Sequence, residues 1–212
     1  MTTFLAASTA PAVLLAFLLD CLLGDPVYPL HPVRIMGRSA GSLEIRLYPV
    51  QKQVTSSRLF AAGTLGWFLI VVSAGIVGFL IPFGIKLLAE KFILFLPACY
   101  QAQGWKHLPS ILFLVAQALL IYTTIAPRDM ASHALKVKRA LEQPHASAEK
   151  QLEDGRMAVA MIVGRDVERL DREGVIRATV ESIAESTIDG VIAPLFWAFI
   201  AGSAGALAYR AI

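Results

Sequence analysis

The chain has 212 residues and only two cysteines, Cys21 and Cys99. Two thiols far apart in apolar surroundings make neither a disulfide framework nor a metal-ligand spacing, so both read as small core residues. Charge is also scarce, at 17% of residues against about 25% in an average soluble domain. The excess of positive charge is only +3, which is no nucleic-acid footprint. The sequence lacks a GxxxxGK[ST] phosphate loop, an HExxH pair and a CxxC pair, so any nucleotide site is unconventional. No internal repeat, low-complexity segment or strand-period alternation is visible. The first apolar block has no positive leading region and no small-x-small cleavage site, which argues against a signal peptide.

What is present is long apolar blocks. Leu59 to Ile85 is 27 residues without a charge, Leu108 to Pro127 is 20 and Val191 to Tyr209 is 19. A bilayer core of about 30 Å takes about 20 apolar residues as a helix. The expected fold is therefore all-α, a polytopic membrane helix bundle with a helical cytoplasmic segment. Spans are placed at about 4–23, 59–81 (ending near Pro82), 108–126 and 191–209. Residues 83–99 carry Lys86, Glu90 and Lys91 and read better as a re-entrant or interfacial helix than as a span.

Basic residues set the orientation. Segment 24–58 holds Arg34, Arg38, Arg46, Lys52 and Arg58, and segment 127–190 has Arg128, Lys136, Lys138 and Arg139 just after a span. Segment 86–107 has only Lys86, Lys91 and Lys106. The excess predicts that 24–58 and 127–190 face the cytoplasm of a multi-pass protein of the cell membrane, with both termini on the other side. Segment 127–190 reads as helices over 128–142, 146–163 (apolar stripe Met157, Ala160, Met161, Ile162) and about 175–188, where Ile176, Val180, Ile183 and Ala184 can pack inward. The sequence stops after an apolar run at Tyr209-Arg210-Ala211-Ile212, which predicts a chain shortened at its C-terminus.

Three clusters can carry chemistry. On a helix, Arg177, Glu181, Glu185 and Asp189 recur every four residues and form one drifting row that meets the membrane edge at Asp189. It reads either as a magnesium site for nucleotide phosphates, whose hard oxygens suit that ion, or as a solvated face with an Arg177–Glu181 ion pair. Next, Asp20 lies inside an apolar helix, and Gly24-Asp25-Pro26 and His31-Pro32 force turns that hold His31 and Arg34 near the membrane surface. Arg34 there can grip phosphate; the plain alternative is a tight loop with a structural histidine. The third is Gly164-Arg165-Asp166, where Asp166 caps the next turn and Arg165 binds an anion or pairs with an acid. Arg156 reads as structural.

In order, LDCLLGDPVYPLHPVRIMG (19–37), IVGRD (162–166), VIRATVESIAESTIDGVIAPLFW (175–197) and GALAYRA (205–211) resemble the CbiB/CobD family, the membrane-embedded adenosylcobinamide-phosphate synthases of cobalamin biosynthesis. The resemblance implies an amide ligase using ATP and Mg²⁺ to join an aminopropanol phosphate, or a related amino-alcohol phosphate, to adenosylcobyric acid. Such a site needs carboxylates for magnesium, cations for phosphate and a base for the amine. The residues available are Glu181, Glu185 and Asp189 for metal; Arg34, Arg165 and Arg177 for phosphate; and His31 or Asp25, with Glu181 and Glu185, for catalysis. Implied partners are the corrinoid and amino-alcohol substrates, the bilayer, other cobalamin-pathway enzymes and a second copy of the chain, with no nucleic acid.

The chain departs from the family pattern at Ser186, where Ala-Glu-Asn is usual, and in lacking the Asn-Thr-Leu-Asp-Ser-Met-type segment that follows the Tyr-Arg pair. Two other classes stay open. A transporter would use Asp20 and the acidic row as a cation path, although transporters want charges within several spans. A non-catalytic scaffold of a corrinoid assembly complex would co-purify with pathway enzymes and show no activity alone.

Overall fold

The computed structural model describes residues 2–25, 28–47, 55–96 and 105–212, with side chains from residue 9 onward. Most of these residues are helical, and there is no strand among them. In chain order the helices are α1 (Thr2–Leu23), α2 (Pro32–Leu47), α3 (Ser56–Phe95), α4 (Leu108–Tyr122), α5 (Pro127–Leu141), α6 (Ala148–Ala160), α7 (Arg172–Thr187) and α8 (Ala193–Arg210). A 3₁₀ turn, Trp105–His107, precedes α4, and a π-helical turn, Ile188–Ile192, precedes α8. Three helical stretches are long and apolar enough to cross a membrane: Ser56–Phe95, Trp105–Leu141 and Arg172–Arg210. Thr9–Leu23 is a shorter apolar helix. The chain divides into two compact units, residues 1–125 with 193–212, and residues 126–192.

The first unit packs α3 against α4 and α8, α1 against α4 and α8, and α2 along α3. Its core is built largely from small side chains: Ala12, Ala16, Ala118, Ala198 and Ala206 around Ile121 and Tyr122. Large apolar residues such as Phe68, Phe79, Phe92 and Phe199 point outward. This inversion suits helices in lipid, where close van der Waals contact replaces hydrophobic burial as the force holding helices together. Cys21 also faces outward on α1, so it is not a core residue, and Cys99 lies outside the described residues.

Two of the expected helix ends differ from those found, and the last apolar helix is broken inside. The second helix does not stop near Pro82 but runs unbroken for 40 residues to Phe95, about 60 Å at 1.5 Å per residue. Residues 83–95 are therefore its continuation rather than a separate interfacial helix. Proline removes the N–H that would bond the carbonyl four residues back, at Gly78. Here the Ser203 hydroxyl of α8 donates to that carbonyl at 2.7 Å, so the helix continues without an orphaned acceptor. A β-carbon on Gly78 would lie 2.7 Å from the Ser203 carbonyl oxygen; only glycine lets the two backbones approach so closely. Farther along α3, Lys86 pairs with Glu90 at 3.8 Å and sits over the Phe113 ring.

The third apolar helix ends at Tyr122, not 126. The Thr123 and Thr124 hydroxyls donate to the Leu120 and Ile121 carbonyls at 2.7 and 2.6 Å, satisfying the helix end, and Pro127 opens α5. The last apolar helix is broken inside: Ala201 and Gly202 leave helical geometry, with Gly202 at φ 63. Its freed Ser203 N–H donates to buried Gln117 Oε1 on α4 at 3.2 Å. A polar side chain inside an apolar helix thus receives the backbone donor that the break exposes.

The second unit is a three-helix cluster around Val137, Leu141, Val159, Val175 and Ala178. Ser147 caps α6 by accepting from the Lys150 N–H at 3.2 Å, and Asp171 caps α7 by accepting from Gly174 at 2.7 Å. The inner faces differ from those expected. Met157 and Met161 are exposed, and Val159 and Gly155 face in. Ile176 and Val180 are exposed too, while Val175, Ala178 and Thr179 are buried. Asp154 and Glu153 hold the exposed Lys150 ammonium above its ordinary value of 10.5, so it stays charged and serves as an ion-pair partner rather than a base.

Candidate functional site

In the first unit, α1 ends where Gly24 adopts φ 74 and its N–H donates to the Asp20 carbonyl at 2.8 Å. A left-handed residue just past the last turn is the usual glycine stop. The Tyr122 hydroxyl donates to the Gly24 carbonyl, tying this turn to α4. Asp20 itself is fully buried. Seven residues beyond Asp25 the chain enters α2 with Pro32 as its first residue, the position where a missing N–H costs nothing. His31 is the residue before it, only 4% exposed, with the Tyr28 ring edge-on at 5.3 Å.

This turn brings His31 Nε2 to 3.0 Å from Asp25 Oδ1. An ionised carboxylate only accepts, so Nε2 is the nitrogen that donates. The pair is thus a histidine of fixed tautomer and orientation, the arrangement a positioned base needs. Arg34 is exposed one turn along α2. Arg38 Nη2 donates to the Pro29 carbonyl at 2.9 Å and clamps the loop that carries His31.

In the second unit, the 161–171 connection is tied down at three points. Ser182 Oγ donates to the Ile162 carbonyl at 2.6 Å, Arg156 Nε donates to the Leu170 carbonyl at 2.7 Å, and Asp166 accepts from the Glu168 N–H at 2.9 Å. Asp166 caps its turn and Arg156 is structural, as the sequence indicates. Between the first two ties Gly164 and Arg165 face α7, and Arg165 Nη2 lies 2.9 Å from Glu181 Oε2. A cavity of about 250 Å³ opens there, lined by Val163, Gly164, Arg165, Glu181, Ser182 and Glu185.

Glu181 therefore pairs with Arg165 and not with Arg177, which is exposed one turn earlier. Asp189 lies in the π-helical turn, whose wider winding takes it off the straight continuation of the Glu181–Glu185 row. Among the described residues no group of three or more His, Cys, Asp or Glu side chains converges to hold a metal ion. The Arg165–Glu181 pair is more than half exposed on both sides, and such pairs contribute at most about 1 kcal/mol. It can open, so Arg165 can exchange a carboxylate for a phosphate.

The structure thus joins Asp25 to His31, and Arg165 to Glu181 with Glu185 in the same cavity. Arg34, Arg177 and Asp189 stand outside these contacts. Sequence reasoning missed Ser182, whose tie to Ile162 seats the arginine loop. A serine one residue from a glutamate gives no local signal of a partner 20 residues away.

A family model described as CobD/Cbib protein matches residues 13–212. The chain belongs to the CobD/CbiB family. Among its relatives, a cobalamin biosynthesis protein CobD of Listeria monocytogenes serotype 4b (strain F2365) is 38% identical over 197 residues, covering 93% of this chain and 53% of that protein. The Clostridium perfringens (strain 13 / Type A) CobD is 33% identical over 201 residues, covering 94% and 54%. The cobalamin biosynthesis protein CbiB of Salmonella arizonae (strain ATCC BAA-731 / CDC346-86 / RSK2980) is 32% identical over 198 residues, covering 93% and 53%. This CobD/CbiB chain spans about half the length of the curated relatives it matches. No solved structure matches it.

Proposed function

We propose that this chain acts in cobalamin biosynthesis, in the ATP-dependent ligation of an amino-alcohol phosphate to a carboxylate of adenosylcobyric acid. Membership of the CobD/CbiB family supports the pathway, and the cavity that sets Arg165 against Glu181 beside Glu185 supports the chemistry. The reading places segments 24–58 and 127–190 on the cytoplasmic side, where ATP is.

A carboxylate is a poor electrophile because its charge is delocalised over both oxygens. One carboxylate oxygen attacks the γ-phosphorus of ATP, the bond to ADP breaks, and an acyl phosphate forms. The neutral amine then attacks the acyl carbon, the carbon–oxygen bond to phosphate breaks, and inorganic phosphate leaves with the amide formed. Within the second unit Arg165, in the cavity, is the cation for the nucleotide phosphates. In the first unit, His31 held by Asp25 is the candidate base for the amine proton.

The donor set suits magnesium bound through a nucleotide rather than as a bare ion. Glu181 and Glu185 supply hard oxygens in one cavity, and a cation that keeps several waters needs only one or two carboxylates beside substrate phosphates. Bound there, magnesium would offset charge on the phosphates. The test is complementation of a cobalamin auxotroph lacking this step, with the 212-residue chain and with a version extended by any downstream reading frame. Glu185→Gln is expected to insert normally and fail to complement, and full growth would remove the acidic row from the reaction. Because the chain covers about half of its relatives, a second reading is a scaffold for pathway enzymes, marked by co-purification without turnover.

A further inference from the structure

Outside both groups of reactive side chains, two adjoining cavities run along α2. One, of about 330 Å³, is lined by Ile35, Arg38, Ser39, Ser42, Leu43 and Arg46. The other, of about 280 Å³, lies between α2, α3, α4 and α8, and its walls include Met36, Ala74, Val77, Leu120 and Leu207. Ile35 and Ser39 line both, so the cationic hollow adjoins the apolar cleft. At 100° per residue, Arg38, Ser42 and Arg46 share one stripe of α2, while Pro32, Met36 and Ser39 are turned toward the cleft. Among the described residues no acidic side chain lines either cavity. The α3 wall of the cleft, Ile70 to Ile81, belongs to a stretch apolar enough to cross a membrane.

We propose that these cavities together hold one anionic phospholipid. Its phosphate sits between Arg38 and Arg46, while the Ser42 hydroxyl stays engaged in its bond to the Arg38 carbonyl at 2.9 Å, and an acyl chain fills the cleft behind Ile35 and Ser39. Arginine carries five N–H donors, so Arg38 can keep its bond to the Pro29 carbonyl and still reach a phosphate oxygen. The apolar cleft decides between sources: a free phosphate or nucleotide has nothing to place there, whereas a phospholipid has both parts in the right order. The bilayer also offers such lipids at high local concentration. Through Arg38 the headgroup is one side chain away from the loop that holds His31, and the inference stands independently of the ligation chemistry.

The test is retention of defined lipids by the delipidated protein in detergent, read by native mass spectrometry. Dioleoyl phosphatidylglycerol is expected to be kept about tenfold better than dioleoyl phosphatidylcholine, a preference Arg46→Gln abolishes. Val77→Phe, which fills the cleft from a partly exposed position, is expected to lower retention of both lipids. Ile81→Phe gives the same readout if that variant folds poorly. Equal retention of the two lipids by the unaltered chain overturns the proposal. So does full displacement of phosphatidylglycerol by millimolar inorganic phosphate with no effect of the cleft-filling variants, which assigns the arginines to a soluble phosphate.

Discussion

His31 and Arg165 do different work because their surroundings differ. His31 is buried and held by one carboxylate, so its tautomer is set before any substrate arrives. Replacing it by Gln is expected to lower turnover about 10²- to 10⁴-fold, the usual contribution of a positioned base, with little change in substrate affinity. Steady-state kinetics check this, and an unchanged kcat would make His31 a structural residue. Arg165 is exposed and paired with an exposed acid, so Arg165→Gln is expected to change unfolding free energy by less than about 1 kcal/mol. The same change should weaken ATP binding on the order of tenfold, the order of one charge-assisted contact. Chemical denaturation and calorimetry separate the two effects.

His31 and Asp25 were each picked out in the sequence as alternative bases in a proline-bounded turn, but the hydrogen bond between them was not. Nor was the partner of Glu181. Local spacing offered Arg177, four residues away, whereas the loop packing delivers Arg165, 16 residues away.

At the scale of elements, α3 and α8 depend on each other through Ser203, Gly78 and Pro82. The serine hydroxyl satisfies a carbonyl only because proline has removed its usual donor. Ser203→Ala is therefore expected to cost about 1 kcal/mol, and less in a Pro82→Ala background, where the backbone N–H is restored. A double-mutant cycle on detergent-solubilised protein measures this coupling, and additive costs would contradict it. Gly202→Ala is expected to cost more, about 1–3 kcal/mol from positive φ alone. The added methyl would also meet Gln117 Oε1 at 2.3 Å.

These features explain which parts of the bundle could be read in advance. Helix type and number of apolar blocks follow from composition and run length. Helix ends did not, because what a proline or a glycine does to a helix depends on partners across the bundle. At Pro82 a serine 125 residues on from Gly78 compensates, and the helix continues. At Gly202 a glutamine accepts the freed donor, and the helix breaks. In α6 and α7 periodicity showed amphipathic helices but chose the wrong side, leaving Met157, Met161, Ile176 and Val180 outside. Both faces of these helices carry apolar residues, and hydrophobicity alone does not say which one meets Val137 and Leu141.

At the scale of the molecule, one unit supplies apolar helices and the other a small helical cluster with most of the charged groups. The central claim belongs to that second unit: Arg165 and the carboxylates of α7 take up a triphosphate together with magnesium. Titration calorimetry of ATP into the solubilised chain, with and without Mg²⁺, tests this most directly. The account predicts heat of binding that needs the metal and disappears in Glu185→Gln while Arg46→Gln retains it. Equal ATP binding in the presence and absence of Mg²⁺, or none in either, would contradict it.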